Sequence, residues 1–179
     1  MALLVPELLD TPRLRLRPFA EDDLDAFAAI TADAQTMRFI GEGVTADRML
    51  TWRWLATTIG HWQMRGYGPW AVEEKASGAL LGRVGLWRPE GWPGVEVMWT
   101  IRRSSWGRGF APEAAAVARD AAFEHLPLDR LCSLIVPENT ASIRVAEKIG
   151  ESHSHDMPMF GTTVGVYTLD RADWKRSRA

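Results

Sequence analysis

The sequence predicts one α/β (α+β) domain, a single mixed and mostly antiparallel twisted sheet flanked by helices. Three observations carry this expectation. RLRLRP at 13–18 alternates Arg with Leu, the period of a strand with one wet face. Three more strand-like segments lie between 67 and 101, separated by the turn-rich runs KASG and RPEGWPG. Segments of helical period flank this block, the clearest being APEAAAVARDAAFEH at 111–125.

The first strand ends at Pro18, which suits an edge of the sheet. From Glu21 to Thr31, Leu24, Phe27, Ala28 and Thr31 recur at helical spacing. They follow an acidic first turn (Glu21, Asp22, Asp23) that suits the positive end of a helix dipole. After the break at Gly41 to Gly43, Thr45 is the expected N-cap of a longer helix. Its apolar stripe would be Met49, Trp52, Leu55, Ala56 and Ile59, and it would end before Gly66. Tyr67 to Glu73, Leu80 to Trp87 and Val95 to Ile101 read as a three-stranded antiparallel meander. Pro112 suits a first helical position, and Ala114, Ala118, Ala121 and Ala122 give that helix a small-residue face able to lie close against a sheet. Arg130 to Val136 reads as a buried strand and Asn139 to Ile149 as a helix stopped by Gly150. Ser152 to Met157 and Thr163 to Leu169 read as a final strand pair.

Composition narrows the function classes. A chain of 179 residues, 46% hydrophobic and 25% charged, can bury a sizeable core as a single domain spanning 1–179. Lys plus Arg number 21 and Asp plus Glu 23, so no bulk positive field draws nucleic acid or an anionic membrane, and neither is expected as a partner. The single cysteine, Cys132, excludes an intrachain disulfide. MALLVPELLD has too short an apolar run and no leading positive charge for a signal peptide, so a cytoplasmic location is expected. Nine tryptophans exceed the few expected and need a use.

The sharpest local signal is Trp106-Gly107-Arg108-Gly109-Phe110-Ala111, placed after a strand and before a helix. Two glycines let the backbone turn tightly and present its N–H groups, while the helix start adds unpaired donors and about half a positive charge. Arg102, Arg103 and Arg108 make the neighbourhood basic, which suits a pyrophosphate; an ordinary strand-to-helix turn is the alternative. No Gly-Lys-Ser/Thr follows, as a Walker loop requires, and the third glycine of a dinucleotide fingerprint is missing. A second element, Pro137-Glu138-Asn139-Thr140-Ala141-Ser142, leads from a strand into a helix, with Asn139 as a candidate N-cap.

In this order and spacing, WGRGFAPE (106–113) and ENTASIRVAEKIG (138–150) resemble the GNAT superfamily of acyl-CoA-dependent N-acetyltransferases, the ribosomal-protein-alanine acetyltransferase subgroup in particular. The resemblance implies an acetyl group moved from acetyl-CoA to a primary amine, either a protein N-terminus or a small molecule, with no metal. It implies that the backbone of Trp106, Gly107, Arg108, Gly109, Phe110 and Ala111 cradles the pyrophosphate of coenzyme A. The backbone of Trp99, Thr100 and Ile101 would pair with the pantetheine arm, and Asn139 and Ser142 would also contact the cofactor. Two positions depart from the family: its frequent tyrosine acid falls at Ala146, and the aromatic after the last glycine is Glu151. A catalytically retired CoA-binding module is therefore the rival, with a plain interaction domain behind it.

Glu96 is the candidate base. Strand alternation puts it on one face with Met98 and Thr100, it matches a strand acid that subgroup members often carry, and partial burial would raise its pKa towards a useful value; a solvated glutamate on an open face is the alternative. Trp54 and Trp87, with Trp92 and Trp99, are candidate walls of an acceptor pocket or core packing. His153 and His155, two apart, would share a strand face but lack a third metal ligand, while His61 and His125 read as helix-surface residues. Cys132 reads as a small core side chain. The acceptor and the oligomeric state, a homodimer included, stay open.

Overall fold

The computed structural model describes residues 3–159 and 161–178. β1 (Leu9–Asp10) and β2 (Leu14–Arg17) open the chain, followed by a 3-10 turn at Glu21–Asp23 and helices α1 (Leu24–Thr31), α2 (Ala34–Met37) and α3 (Arg48–Arg65). β3 (Pro69–Glu74), β4 (Leu80–Trp87) and β5 (Glu96–Ile101) form the expected meander, and α4 (Phe110–His125) crosses to β6 (Arg130–Ile135). Then come α5 (Thr140–Lys148), β7 (Ser152–Met159), β8 (Thr162–Asp170) and α6 (Arg171–Arg176). The eight strands make one sheet in the order β1-β2-β3-β4-β5-β6-β8-β7, antiparallel except for the β5–β6 pair.

Strand alternation divides the core between the two faces. Trp70 and Val72 of β3 join β4, β5 and the alanine face of α4 in the main core, whereas Ala71 joins Phe27, Ile30 and Leu55 of α1 and α3 on the other side. Ala114, Ala118 and Ala122 are fully buried, so the small residues bring α4 close to the sheet as their pattern implies.

Four expectations about the elements need correction. β2 is not the edge strand, because β1 covers it through Leu9↔Leu16. Pro112 is the third residue of α4, which starts at Phe110 behind Gly109, still within the first turn where a missing N–H costs nothing. The α3 N-cap is Asp47 rather than Thr45: its Oδ1 accepts the Leu50 N–H at 2.7 Å. The apolar stripe of α3 is largely outside, with Met49 62% and Trp52 49% exposed, and only Leu55 of the five is buried. Thr51, Leu55, Thr58, His61 and Trp62 form the inner face instead. Threonine can be buried there because Thr51 and Thr58 donate to the carbonyls of Asp47 and Trp54, four residues back.

Candidate functional site

The site begins where the sheet splits. β5 and β6 are in register only at Glu96↔Cys132, where the Cys132 N–H donates to Val95 O. One step further the Ser133 hydroxyl, in place of a backbone amide, donates to Val97 O at 2.7 Å. Beyond this the strands diverge. Val95 and Val97 turn their carbonyls toward β6, so the period of two turns the Trp99 backbone into the gap as well. The Trp99 indole crosses to α5, donating to Ser142 Oγ at 3.1 Å. Two cavities meet at Trp99 and Thr100, one of about 480 Å³ and one of about 560 Å³.

The larger cavity lies under the glycine turn and is lined by Trp106, Gly107, Gly109, Phe110 and Ala111 with Thr100, Ile101, Asn139 and Ser142. Gly107 (φ 75°) and Gly109 (φ 79°) occupy the left-handed region, where a Cβ is strained. The turn is pinned from both sides. Trp106 Nε1 donates to Ile101 O at 2.6 Å, and Arg13 donates to Arg108 O while forming an ion pair with Glu113, which also accepts from Thr11. The Arg108 side chain departs from the expected role: it reaches back to Glu74 at 2.7 Å, and Arg108 does not line this cavity. The cations that do are Arg38, Arg144 and Lys148. The last two stand four apart in RVAEK, a helical spacing that carried the signal unnoticed. Asn139 serves as the α5 cap, its Oδ1 accepting from the Ser142 N–H at 3.2 Å, and also lines both cavities.

The smaller cavity is aromatic. Trp54, Trp87, Trp92 and Trp99 line it with Phe39, Arg83 and Glu96. Trp87 stacks on His61 at 4.5 Å between centroids. His61 is not on the helix surface: it is buried, with one ring nitrogen against Tyr67 O at 2.8 Å and the other accepting the Arg88 N–H. Burial holds its pKa below the ordinary histidine value, so it is a neutral brace for Trp87.

Glu96 is 9% exposed, which removes the solvated alternative. Its Oε2 accepts from Trp92 Nε1 at 2.7 Å and its Oε1 from the Leu134 N–H at 3.4 Å. Burial pushes its pKa up to about 7, against the pull of those two hydrogen bonds and the more distant Arg83 charge. Trp92 arrives on the turn RPEGWPG, so one of the excess tryptophans holds the candidate base. Glu151 is buried too, 4% exposed; the nearby Ser133 hydroxyl is committed to Val97 O, and burial, with the Glu96 charge adding to it, pushes Glu151 up to about 8 against the weaker pull of Ser133.

Ala146 is fully buried and packs with Trp99, Ile135, Ile143 and Tyr167. Cys132 is a core residue, its thiol pushed up to about 12 by burial and by the two buried glutamates. His153 and His155 do not share a face. A bulge between them pairs His153 with Tyr167 and His155 with Val166, adjacent residues of β8 that point opposite ways. His125 is exposed, as its helix pattern implies. Among the described residues no cluster of three metal-ligating side chains occurs, and no helix is long and apolar enough to cross a membrane.

Residues 13–151 match the family described as an acetyltransferase (GNAT) domain. The Bacillus subtilis protein YkkB is 32% identical over 89% of this chain and 93% of its own. An acetyltransferase from Agrobacterium tumefaciens, 32% identical, superposes with a TM-score of 0.80 over 92% of this chain and 94% of its own. RimL, a ribosomal alpha-N-protein acetyltransferase solved in complex with coenzyme A, shares the fold at 16% identity, with a TM-score of 0.78 over 92% and 98% of the two chains.

Proposed function

We propose, on the premise that the chain belongs to the GNAT acetyltransferase family, that it transfers the acetyl group of acetyl-CoA directly to a primary amine, with Glu96 as base. The observation that carries the reading is a buried, hydrogen-bonded carboxyl at the point where β5 and β6 part, beside two joined cavities.

The cavity under the glycine turn fits the anionic end of coenzyme A. Gly107, Gly109, Phe110 and Ala111, the start of α4, and the cations Arg38, Arg144 and Lys148 line it, which supports pyrophosphate binding by backbone N–H groups and charge. The Trp99 backbone, turned into the splay, pairs in this reading with the extended pantetheine arm, and the position of Thr100, Ile101 and Ser142 along the same cavity supports it. Bound there, the cofactor supplies an activated acyl carbon. An inward N–H of β5 polarises its carbonyl oxygen as the amine attacks.

The aromatic cavity then receives the amine. The nitrogen forms its bond to the acyl carbon, the carbon–sulfur bond breaks, and the amine's surplus proton goes to Glu96. A base with a pKa of about 7 is half ionised at neutral pH, which suits proton removal. An α-amino group titrates at about 7.7 to 8.0 and a lysine at about 10.4, so the former needs less help. The leaving thiolate belongs to a thiol titrating around 8.5, so it departs without a dedicated acid, and Ala146 is compatible with turnover.

Thiol release from acetyl-CoA, measured with N-terminal peptides, polyamines, amino acids and aromatic amines, tests the reading. Release that requires one of these amines supports transfer. Tight CoA binding with no release from any of them would instead identify a retired binding module.

A further inference from the structure

The floor of the aromatic cavity holds two polar side chains to which the transfer chemistry gives no role. Arg83 and Thr100 are cross-strand partners on β4 and β5, on the same face as Glu96 and its partner Trp87. Arg83 Nε and Thr100 Oγ1 are both buried without a hydrogen-bond partner among the described residues. The Arg83 guanidinium lies 5.6 Å from the Phe27 ring and forms no ion pair with a described carboxylate.

We infer that the acceptor is an amine that also carries a carboxylate, whose acid end is held by Arg83 and Thr100 while its amine faces Glu96. This rests on the reading of the aromatic cavity as the acceptor site. Two buried donors side by side lack acceptors, and a carboxylate supplies two oxygens, one for each. Burial pulls the Arg83 pKa down to about 10 against the opposing charge of Glu96, and with no described acceptor at Nε a bound carboxylate would both satisfy that donor and favour the charged guanidinium. The charge count selects a monoanion. Arg83 is the single cation among the described residues lining this cavity, and Glu42 and Glu96 also line it, which disfavours a doubly charged phosphate.

Geometry sets the shape of the molecule. Glu96 and Thr100 are four residues apart on β5, about 13 Å along the strand, and the Glu and Arg side chains shorten that span. Met98 lies between them on the same face, and Trp54 and Trp87 line the same cavity. An apolar or aromatic body between amine and carboxylate fits that floor.

Calorimetry tests the inference with 4-(aminomethyl)benzoate and 6-aminohexanoate, each titrated beside its carboxamide into the full chain. At least one acid should bind tenfold or more tighter than its amide. That margin should fall below threefold in Arg83→Gln and shrink in Thr100→Val, which preserves shape and decides the matter if Arg83→Gln loses its cooperative melt. Equal affinities for both acid–amide pairs, or a margin that survives in folded Arg83→Gln, overturns the inference. The acetyl-transfer reading fails separately: no thiol release with any amine, while the acid margin persists, overturns transfer and leaves the anion site standing.

Discussion

Glu96 on β5 and Glu151, between α5 and β7, are two buried carboxyls with pKa values of about 7 and about 8, and their titration links catalysis to stability. Both values lie above the ordinary carboxyl range, so between about pH 4.5 and 8 the folded chain binds more protons than the unfolded one. The stability that these two groups contribute is full below that window and falls as pH rises through it. Glu151→Gln removes that residue's share of the fall across the whole window, so the variant should exceed the parent at pH 9 by up to roughly 4 to 5 kcal/mol and match it more closely at pH 5. Urea unfolding at the two pH values measures this; an equal loss in both proteins would mean that Glu151 is not charged against burial. The strand alternation identified Glu96, but its environment was not legible. Its donors, Trp92 and the Leu134 N–H, come from a turn and from a strand 38 residues later. Arg83 gave no local signal at all, because its meaning lies in what fails to contact it.

The glycine turn and the cap of α5 carry the element-scale expectations. Gly109→Val adds a Cβ where φ is 79°, so the backbone must rotate and at least one N–H leaves the groove. CoA affinity should drop by at least tenfold, corresponding to about 1.5 to 3 kcal/mol for a lost charge-assisted bond. Calorimetry that finds unchanged affinity in a folded variant would place the pyrophosphate elsewhere. Asn139→Asp preserves the cap oxygen that accepts from the Ser142 N–H but sets a carboxylate at the junction of both cavities. Melting temperature should hold while CoA binding weakens, and the reverse pattern would reduce Asn139 to a cap. Strands and turns were the readable elements, because period-two alternation and Gly-Pro punctuation are local. α3 was misjudged because two faces of the same period compete on it. The threonine face won the core by satisfying its hydroxyls within the helix, leaving Met49, Trp52 and Ile59 outside.

At the scale of the whole molecule, the fold and family were legible because motif order is a global property that survives local error. The two cavities were not, since the smaller gathers residues from α3, β4, β5, β6 and α5 and the larger from α2, β5, α4 and α5. What the sheet accomplishes is a single wedge: β5 and β6 pair once, part, and leave a carboxyl at the apex with a cationic groove on one side and an aromatic cavity on the other. The central claim is that proton removal at this apex drives acetyl transfer. The pH profile of thiol release from acetyl-CoA, measured for the parent and for Glu96→Gln with the same amine, tests it most directly. The parent rate should rise through about pH 7, following Glu96. The variant should retain CoA affinity, lose roughly a hundredfold in turnover at pH 7, and regain rate only as the amine deprotonates near its own pKa. Near-parental turnover in Glu96→Gln, with an unshifted profile, would contradict the account.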